Sequence, residues 1–274
     1  MSTIQAVRTA FLQLHIPGQP LLIPNPWDAG SAKLLASLGF AALATTSSGF
    51  AATLGRSDGE VSRAEALAHA SAIASSVDVP VSADLENGFG DSPDEVFATV
   101  TQAAATPLAG CSIEDFTGDD DTPIYAKELA VERIAAAVQA AHHADAGLVL
   151  TARAENLIHG IRDLDDTIAR LQAYQEAGAD VLYAPGLTDL ADVRRVVDAL
   201  DRPVNVLTRP GLASIGELTA ASVARVSVGG SFAFLAYEAL ARAAAELRGS
   251  GTFGYLADAA SGYASLTAAL PDRS

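Results

Sequence analysis

The amino-acid sequence predicts an α/β fold in which eight parallel strands and their helices close into a (β/α)8 TIM barrel. Short apolar runs of β-type residues alternate with longer helical stretches along the whole 274-residue chain. Eight strand–helix units in about 250 residues is the number that such a barrel needs. A doubly wound open sheet gives the same alternation and remains the alternative. Because the sequence shows no linker, repeat or low-complexity tract, we expect residues 1–274 to form one barrel domain.

The predicted strands are short and mostly apolar, and they occupy residues 21–25, 41–45, 79–85, 110–115, 148–154, 180–184, 203–208 and 225–229. Helical segments follow them at residues 28–38, 62–76, 94–104, 127–144, 163–177, 189–200 and 215–220, and an eighth helix is predicted at 232–247. Ser62 and Glu65 have the spacing of a capping box at a helix start. Gly39 and Gly178 lie one residue past predicted helices, where a glycine commonly ends a helix.

The end of the chain carries one helical segment more than a barrel requires. After Gly249-Ser-Gly251, residues 252–270 predict an extra C-terminal helix, with an apolar stripe along residues 255–270. A helix with an apolar face needs a surface to cover. That surface is either a second subunit or the chain's own barrel, and the sequence leaves both open.

Composition and charge limit the classes of partner. The net charge is −16, so no basic patch is available to displace counterions, and we expect neither nucleic acid nor membrane as a partner. No apolar run reaches the roughly 18 to 20 residues that span a bilayer. The N-terminus lacks the features of a secretory signal, and the single cysteine, Cys111, allows no disulfide framework. These properties predict a soluble cytoplasmic protein.

Two successive predicted strands end in carboxylates. One apolar run closes on Asp84 and Glu86, and the next closes on Glu114 and Asp115. Residues two apart in a strand point to the same side, so Asp84 and Glu86 would repel each other without a cation between them. Mg²⁺ prefers oxygen ligands and keeps several waters, which makes it the expected ion, with Mn²⁺ as an alternative. The other interpretation is that these acids cap the following helices, and it suits Asp115 best.

Active sites of barrels lie at the C-terminal ends of the strands. Arg153 interrupts the apolar run of the fifth strand, and a buried guanidinium needs an anionic partner. The substrate is one such partner, and Glu155 is the alternative. We therefore expect Arg153 to face a cation surrounded by four acids, Asp58, Asp84, Glu86 and Glu114.

Four other residues at the same strand ends are candidates for substrate binding together with Arg153, and they are Thr46, Ser48, Gly49 and Asn205. The Ser48–Gly49 turn offers backbone N–H groups to an anion. Both lysines lie in or at the start of predicted helices, so a Schiff-base amine is missing. All histidines but His159 lie in or beside helices, which argues against a histidine-ligated metal. Tyr183 and His159 are the candidate proton donors, although a plain surface position is the other interpretation of His159.

Six stretches together carry a family resemblance, and they are Asn25-Pro-Trp-Asp-Ala-Gly-Ser, Thr46-Ser-Ser-Gly-Phe-Ala-Ala-Thr-Leu-Gly, Ala83-Asp-Leu-Glu-Asn-Gly-Phe-Gly, Ser112-Ile-Glu-Asp, Thr151-Ala-Arg-Ala-Glu-Asn and Ala177-Gly-Ala-Asp-Val-Leu. Over roughly residues 20 to 250 the sequence resembles the isocitrate lyase and phosphoenolpyruvate mutase superfamily. The resemblance implies a (β/α)8 barrel that binds Mg²⁺ and a small 2-oxo or 2-hydroxy carboxylate. It also implies a homodimer or homotetramer in which the last helices swap between subunits, which would account for the extra helix.

The resemblance also implies roles for individual residues. Asp84 matches the acid that contacts the metal most directly, and three further acids match those that hold the metal's waters, Asp58, Glu86 and Glu114. Ser48 and Gly49 match the turn that receives the substrate carboxylate, and Arg153 matches the arginine that grips its anionic oxygens. Glu86 stands where the superfamily more usually has aspartate.

The segment after the fourth strand departs from the superfamily's best-known patterns. Isocitrate and methylisocitrate lyases carry a Lys-Lys/Arg-Cys-Gly-His stretch there, and the phosphonate-forming mutases and related hydrolases carry a Lys-Thr-Asn type segment. This chain has neither, and reads Asp115-Phe-Thr-Gly-Asp-Asp-Asp-Thr-Pro-Ile-Tyr125. We interpret the run as either a mobile acidic loop near the site or a plain solvated loop.

The function predicted from these residues and this resemblance is that of a Mg²⁺-dependent carbon–carbon lyase. It would cleave or decarboxylate a small 2-oxo or 2-hydroxy carboxylate through a metal-stabilised enolate, with Mg²⁺ and Arg153 stabilising the developing charge. One alternative is a mutase or hydrolase acting on the C–P bond of a phosphonopyruvate or phosphoenolpyruvate type substrate. Another is a 2-oxo acid binding protein with little catalysis, because the strand-four loop lacks an acid. The proton donor stays open between Tyr183, His159 and metal-bound water.

Overall fold

The structure is a computed structural model that describes residues 3–143 and 146–270. Its strands are β1 Leu21–Ile23, β2 Leu43–Ala44, β3 Val81–Asp84, β4 Gly110–Glu114, β5 Val149–Arg153, β6 Val181–Tyr183, β7 Val204–Leu207 and β8 Arg225–Ser227. All are parallel neighbours in one sheet of order β1-β8-β7-β6-β5-β4-β3-β2. Each strand lies within the segment predicted for it.

The described residues contain eleven helices, which are α1 Thr3–Gln13, α2 Ala29–Ser37, α3 Ser47–Thr53, α4 Arg63–Ala74, α5 Pro93–Ala104, α6 Lys127–Ala141, α7 Leu164–Glu176, α8 Leu190–Asp198, α9 Ile215–Ala220, α10 Ser231–Gly249 and α11 Leu256–Ala269. The predicted capping box is present, since the Ser62 side chain accepts from the Glu65 N–H and the Glu65 side chain accepts from the Ser62 N–H. Gly39 and Gly178 have φ values of 90° and 104°, as expected of glycines that end helices. The predicted end of α6 at residue 144 lies outside the described residues.

The sheet closes into a barrel, which excludes the open-sheet alternative. β1 pairs with β8 along its whole length. Between β1 and β2, the Ala44 N–H donates to Pro24 O at 3.1 Å, and this hydrogen bond joins the two ends of the sheet. The Asn25 side chain donates to Thr45 O at 2.9 Å beside it. The predicted (β/α)8 barrel with an additional C-terminal helix is therefore confirmed.

Helix α1 was not predicted, and it closes the N-terminal end of the barrel. Phe11 is completely buried and packs against Leu21, Ile23 and other residues of the barrel floor. Arg8 donates to four backbone carbonyls near the starts of β4 and β5, those of Leu108, Ala146, Ala104 and Thr106, at 2.8 to 3.1 Å. These loop carbonyls would otherwise be buried without a hydrogen-bond donor, so Arg8 supplies the donors that they need at the N-terminal end of the barrel.

Helices α10 and α11 extend beyond the layer of helices around the barrel. Of the residues in α10, Ala233 alone is buried, whereas Leu235 and Leu240 are 66% and 64% exposed. Helix α11 contacts α2 of the same chain, with no residue of its own buried. Leu22, on the outward face of β1, is 40% exposed, although outer strand faces of barrels normally pack under helices. Apolar surface is therefore uncovered both on α10 and beside β1.

Among the described residues, no helix has the combination of length and apolar composition that crossing a bilayer requires.

Candidate active site at the C-terminal end of the barrel

Three strands deliver charged side chains to the C-terminal end of the barrel. β3 ends at Asp84, β4 at Glu114 and β5 at Arg153. In the parallel register Asp84 pairs with Ser112, and Glu114 pairs with Arg153. Neighbouring parallel strands therefore bring these side chains together at the end of the barrel where active sites form.

Arg153 lies among the acids, and the expectation that it faces them across the site is corrected. Its Nη1 is 3.0 Å from Asp84 Oδ1, and its Nη2 is 3.0 Å from Glu114 Oε2. Its Nε is 2.8 Å from Glu155 Oε1, so Glu155 is a partner of this guanidinium as the alternative interpretation held. The Arg153 side chain is only 14% exposed, and a cation at this depth needs carboxylates around it.

Asp84 is held by hydrogen bonds at the end of its strand. Its Oδ2 accepts from the Ser47 N–H at 3.3 Å and from Ser47 Oγ at 3.1 Å, at the start of α3. Its Oδ1 accepts from Arg153 and, at 3.4 Å, from Ser112 Oγ. Its backbone N–H donates to Thr45 Oγ1 at 2.9 Å. The carboxylate is therefore fixed in position before any ligand binds.

Glu86 reaches the site by a different route from the one predicted. β3 ends at Asp84, and Glu86 follows in the left-handed region with φ of 48°. This backbone turn, and not strand alternation, places its carboxyl near Asp84, since its N–H is 3.4 Å from Asp84 Oδ1. Among the described residues none donates a hydrogen bond to the Glu86 carboxyl. Burial, followed by repulsion from Asp84 and Asp58, raises its pKa to about 8.

The carboxyls around Arg153 outnumber the positive charge that they share. Burial is the largest cause of a raised pKa at Asp58, Glu114 and Glu155, which reaches about 7 at Glu155. The charge of Asp84 raises all three further, while Arg153 opposes the rise. One guanidinium cannot balance all of these carboxyls when they are ionised, and a largely buried cluster of this kind attracts a cation that can take the place of their protons.

The donor set fits Mg²⁺ in a hydrated form. Among residues 3–143 and 146–270, no three Asp, Glu, His or Cys side chains converge with the spacing of direct metal ligands. Mg²⁺ needs only one or two protein carboxylates, because it keeps several of its waters. Asp84 is the fixed acid, and the Glu86 carboxyl is free of hydrogen bonds from the described residues. These residues thus suit a hard ion held mainly through water.

A cavity of about 230 Å³ opens beside these acids and reaches into the barrel. The predicted substrate-binding residues Thr46, Ser48, Arg153 and Asn205 line it. Gly49 does not line it, and its N–H donates to Thr46 Oγ1 at 3.3 Å, because Thr46 caps α3. A side chain at Gly49 would meet Thr46 Cγ2 at 2.6 Å, so this glycine is required for close packing. Ser48 and Gly49 lie in the first turn of α3, and of the two only Ser48 lines the cavity.

The two candidate proton donors lie in different cavities. Tyr183 lines the 230 Å³ cavity, and the Arg153 guanidinium lies 5.0 Å from its ring centre. Burial raises the pKa of Tyr183 to about 12. His159 lines a more open cavity of about 1030 Å³, together with Glu86, Glu114 and Asp58. Its ring stacks on Phe116 at 3.9 Å, and burial lowers its pKa.

The segment after β4 lies over this open cavity. Phe116 and Ile124 form an antiparallel bridge, and Gly118 and Asp120 line the cavity, so the run is near the site as one interpretation held. Asp115, at the start of this segment, lines neither cavity. Its Oδ2 accepts from Tyr174 at 2.6 Å and from Arg170 at 3.2 Å. Asp115 is therefore a structural residue.

Sequence reasoning missed two residues of this site. Ser47 binds Asp84, and nothing in the sequence distinguishes it from the neighbouring serine. Arg225 lines the floor of the 230 Å³ cavity and is 6% exposed. It interrupts the apolar run Ala224-Arg-Val-Ser-Val of the eighth strand as Arg153 interrupts that of the fifth, which is the signal for it in the sequence.

Comparisons with known proteins agree with this architecture. A family model described as phosphoenolpyruvate phosphomutase matches residues 11–248. The chain is 33% identical over 211 residues to 2-methylisocitrate lyase of Escherichia coli (strain K12), with 70% of each chain covered. A solved Burkholderia cenocepacia J2315 protein is 53% identical with a TM-score of 0.89, and 93% of this chain and 92% of that chain are covered. A phosphonopyruvate hydrolase solved with oxalate and Mg²⁺ is 26% identical with a TM-score of 0.79, covering 99% of this chain and 92% of that one. The chain therefore belongs to the phosphoenolpyruvate phosphomutase family, within the superfamily that its sequence resembles.

Proposed function

We propose that this protein is a Mg²⁺-dependent lyase that cleaves a carbon–carbon bond in, or decarboxylates, a small 2-oxo or 2-hydroxy carboxylate. The observation that carries the proposal is the excess of carboxylates over the single Arg153 guanidinium at the C-terminal end of the barrel. Such an excess is costly unless a cation binds. Similarity to 2-methylisocitrate lyase supports lyase chemistry, and the phosphonopyruvate hydrolase solved with oxalate and Mg²⁺ supports the choice of ion.

Four acids would hold the ion, with Asp84 closest and the other three acting through water, Asp58, Glu86 and Glu114. Bound Mg²⁺ supplies a Lewis acid for negative charge on the 2-oxo or 2-hydroxy oxygen. Mn²⁺, which favours similar oxygen ligands, would serve in its place. The role of the protein is to keep Asp84 in position through Ser47 and Ser112.

Arg153 would bind the oxygens on which charge develops. Its Nη1 and Nη2 each carry a second N–H beyond those directed at Asp84 and Glu114, and the residue lines the cavity. Because three carboxylates hold the guanidinium in place, it needs no reorganisation when the substrate reacts. Thr46, Ser48 and Asn205 would orient the substrate from the same cavity.

Tyr183 is the better candidate for the proton donor. It lies in the same cavity as Arg153, and a pKa of about 12 keeps its hydroxyl protonated at neutral pH. His159 lies in the outer cavity, and its lowered pKa leaves the ring neutral, so it has no acidic proton to give. A water molecule in the cavity is the remaining source of the proton.

We further propose that the protein is a homodimer or a homotetramer in which α10 covers a partner subunit. The exposed Leu235 and Leu240 of α10 and the exposed Leu22 of β1 are the surfaces that such an exchange would bury. A closed symmetric pair would cover both surfaces at once.

Non-catalytic binding of a 2-oxo acid is the second candidate, and the hairpin after β4 favours it. Between Phe116 and Ile124 this hairpin has no cysteine, lysine or histidine to act as an acid. The C–P alternative has the family model and the similarity to phosphonopyruvate hydrolase in its favour, but no feature of this site singles it out.

The test is incubation of the Mg²⁺-loaded protein with a panel of 2-oxo and 2-hydroxy di- and tricarboxylates, with products followed by NMR. We expect turnover of at least one compound, and loss of that turnover in both Asp84→Ala and Arg153→Ala. Unchanged turnover in both variants would contradict the proposed function. Tight Mg²⁺-dependent binding of a compound that stays intact for hours would establish the non-catalytic candidate.

A further inference from the structure

Two arginines face the 230 Å³ cavity, and their surroundings differ in charge. Arg153 has three carboxylate partners within 3.0 Å. Arg225, at the floor of the cavity, has no carboxylate partner among the described residues. It is nevertheless 94% buried, since only 6% of it is exposed. A guanidinium at this depth that has neither a carboxylate nor a full set of acceptors, as Arg8 has in its four carbonyls, is costly, so its surroundings point to an anion that is not part of the protein.

The contacts of Arg225 hold its side chain in one orientation. Its Nε donates to Asn205 Oδ1 at 2.9 Å, and its Nη1 donates to Thr151 Oγ1 at 3.1 Å. Asn205 is itself oriented by Ser227, to whose Oγ it donates at 3.0 Å. The Nη2 group of Arg225 has no hydrogen-bond partner among the described residues. Two N–H donors thus remain for a ligand.

The third contact of Arg225 is with a neutral histidine. His15 Nε2 is 3.3 Å from Arg225 Nη1, and His15 Nδ1 is 3.0 Å from the carbonyl of Phe11. Burial and the Arg225 charge lower the pKa of His15 to about 3. Nδ1 therefore carries the proton and Nε2 accepts from Arg225. The charged or titratable groups facing Arg225 are then His15, Tyr183 and Arg153, and none of them is an anion at neutral pH.

The position of Arg225 relative to Arg153 follows from the strands. Thr151 precedes Arg153 by two residues on β5, so both side chains point into the barrel on the same face. Two residues of strand correspond to about 6.6 Å. Because the Arg225 guanidinium is bound to Thr151, it lies about that far below Arg153 in the barrel. A chain of four or five carbons spans such a distance between its terminal groups. One molecule in the cavity would therefore contact both layers.

We propose that Arg225 binds the second carboxylate of the substrate, so that the substrate class is a dicarboxylate with its distal carboxylate inside the barrel. This inference rests on the proposed function, in which the first carboxylate and the adjacent oxygen lie at the level of Asp84 and Arg153. Asn205 and Thr151 act as positioning residues for Arg225. With Mg²⁺ held by the acids as proposed, the ion and Arg153 would bind one end of the molecule, and Arg225, which has no carboxylate partner, would bind the other.

The test uses ligand pairs that differ only in the distal carboxylate, which are malate with 2-hydroxybutanoate and 2-oxoglutarate with 2-oxopentanoate. Each is titrated calorimetrically into Mg²⁺-loaded wild type, Arg225→Gln and Arg225→Lys. A charged hydrogen bond in a buried site corresponds to about 30-fold in affinity, so we expect at least one dicarboxylate to bind wild type about 30-fold more tightly than its pair. In Arg225→Gln the preference should fall below about threefold, with the monocarboxylate affinity retained. Arg225→Lys should keep an intermediate preference, because lysine retains the positive charge and lacks the two parallel N–H donors of a guanidinium.

Two results would overturn the inference. One is the absence of a dicarboxylate preference in wild type for both pairs, a measurement that needs no variant to fold. The other is a preference that survives in Arg225→Gln. Mn²⁺ binding, followed in the same samples by electron paramagnetic resonance, separates this inference from the proposed function. Wild type that binds Mn²⁺ but prefers no dicarboxylate contradicts the role of Arg225 alone, whereas wild type that binds no Mn²⁺ contradicts both.

Discussion

Glu86 is a residue at which the acidic cluster should have a measurable effect on stability. Its side chain is partly buried, its carboxyl receives no hydrogen bond from the described residues, and it lies near Asp84 and Asp58. These surroundings raise its pKa from the ordinary value of 4.5 to about 8. The perturbation is Glu86→Gln, which keeps the shape of the side chain and removes its charge.

The sign and size of the effect follow from the pKa. A carboxyl with a raised pKa binds its proton more tightly in the folded state, so wild type loses stability as pH rises from 4.5 to about 8. The full rise in pKa corresponds to at most about 4 kcal/mol at pH 8. Because Glu86 is only partly buried, solvent screening lowers the expected value to about 2 kcal/mol. Glu86→Gln should therefore be more stable than wild type by about 2 kcal/mol at pH 8, and should differ little at pH 5.

The assay is urea unfolding of both proteins in EDTA at pH 5 and pH 8. Glu132→Gln, a change of the same kind on the exposed surface of α6, is the matched control and should show no pH-dependent difference. Adding Mg²⁺ should stabilise wild type more at pH 8 than at pH 5, since the ion competes with the proton on Glu86. An equal difference between Glu86→Gln and wild type at the two pH values would refute the reasoning.

Three further predictions concern the floor of the barrel, the proton donor and the last helices. Arg8→Met removes donors from four backbone carbonyls and should lower the free energy of unfolding by about 3 kcal/mol or more in urea titrations; a loss below about 1 kcal/mol would show that water replaces these bonds. Tyr183→Phe should lower kcat by about 100-fold or more, whereas His159→Gln should change it by less than about threefold, and the reverse order would make His159 the acid. Leu235→Glu should convert the oligomer to a monomer in light scattering, and wild type that is already monomeric at micromolar concentration would contradict the exchange of α10.

The strands and most helices could be predicted because their patterns are local. Apolar runs ended by glycines and capping residues define each unit, and every observed strand lies within its predicted segment. Helix α3 could not be predicted in this way, since Ser47–Thr53 is short and contains serines, glycine and threonine, and its start is marked only by the Thr46 cap. Helix α1 had a signal in the helical spacing of Ile4, Val7 and Phe11.

The site was predictable in its residue types and less so in its contacts. Strand ends identify Asp84, Glu114 and Arg153, because the barrel brings those ends together. Sequence alone could not show that Arg153 is shared by three acids, since ion pairing depends on side-chain directions across strands. The left-handed turn at Glu86 was equally hidden, because non-glycine residues seldom adopt it.

The most direct measurement is Mn²⁺ binding by electron paramagnetic resonance, with Mg²⁺ as the competitor and no substrate present. We predict one saturable Mn²⁺ site per chain that Mg²⁺ displaces, an affinity about 100-fold weaker or worse in Asp84→Asn, and no change in Glu132→Gln. Wild type without saturable binding, or Asp84→Asn with the affinity of wild type, would contradict the assignment of this cluster as a divalent cation site.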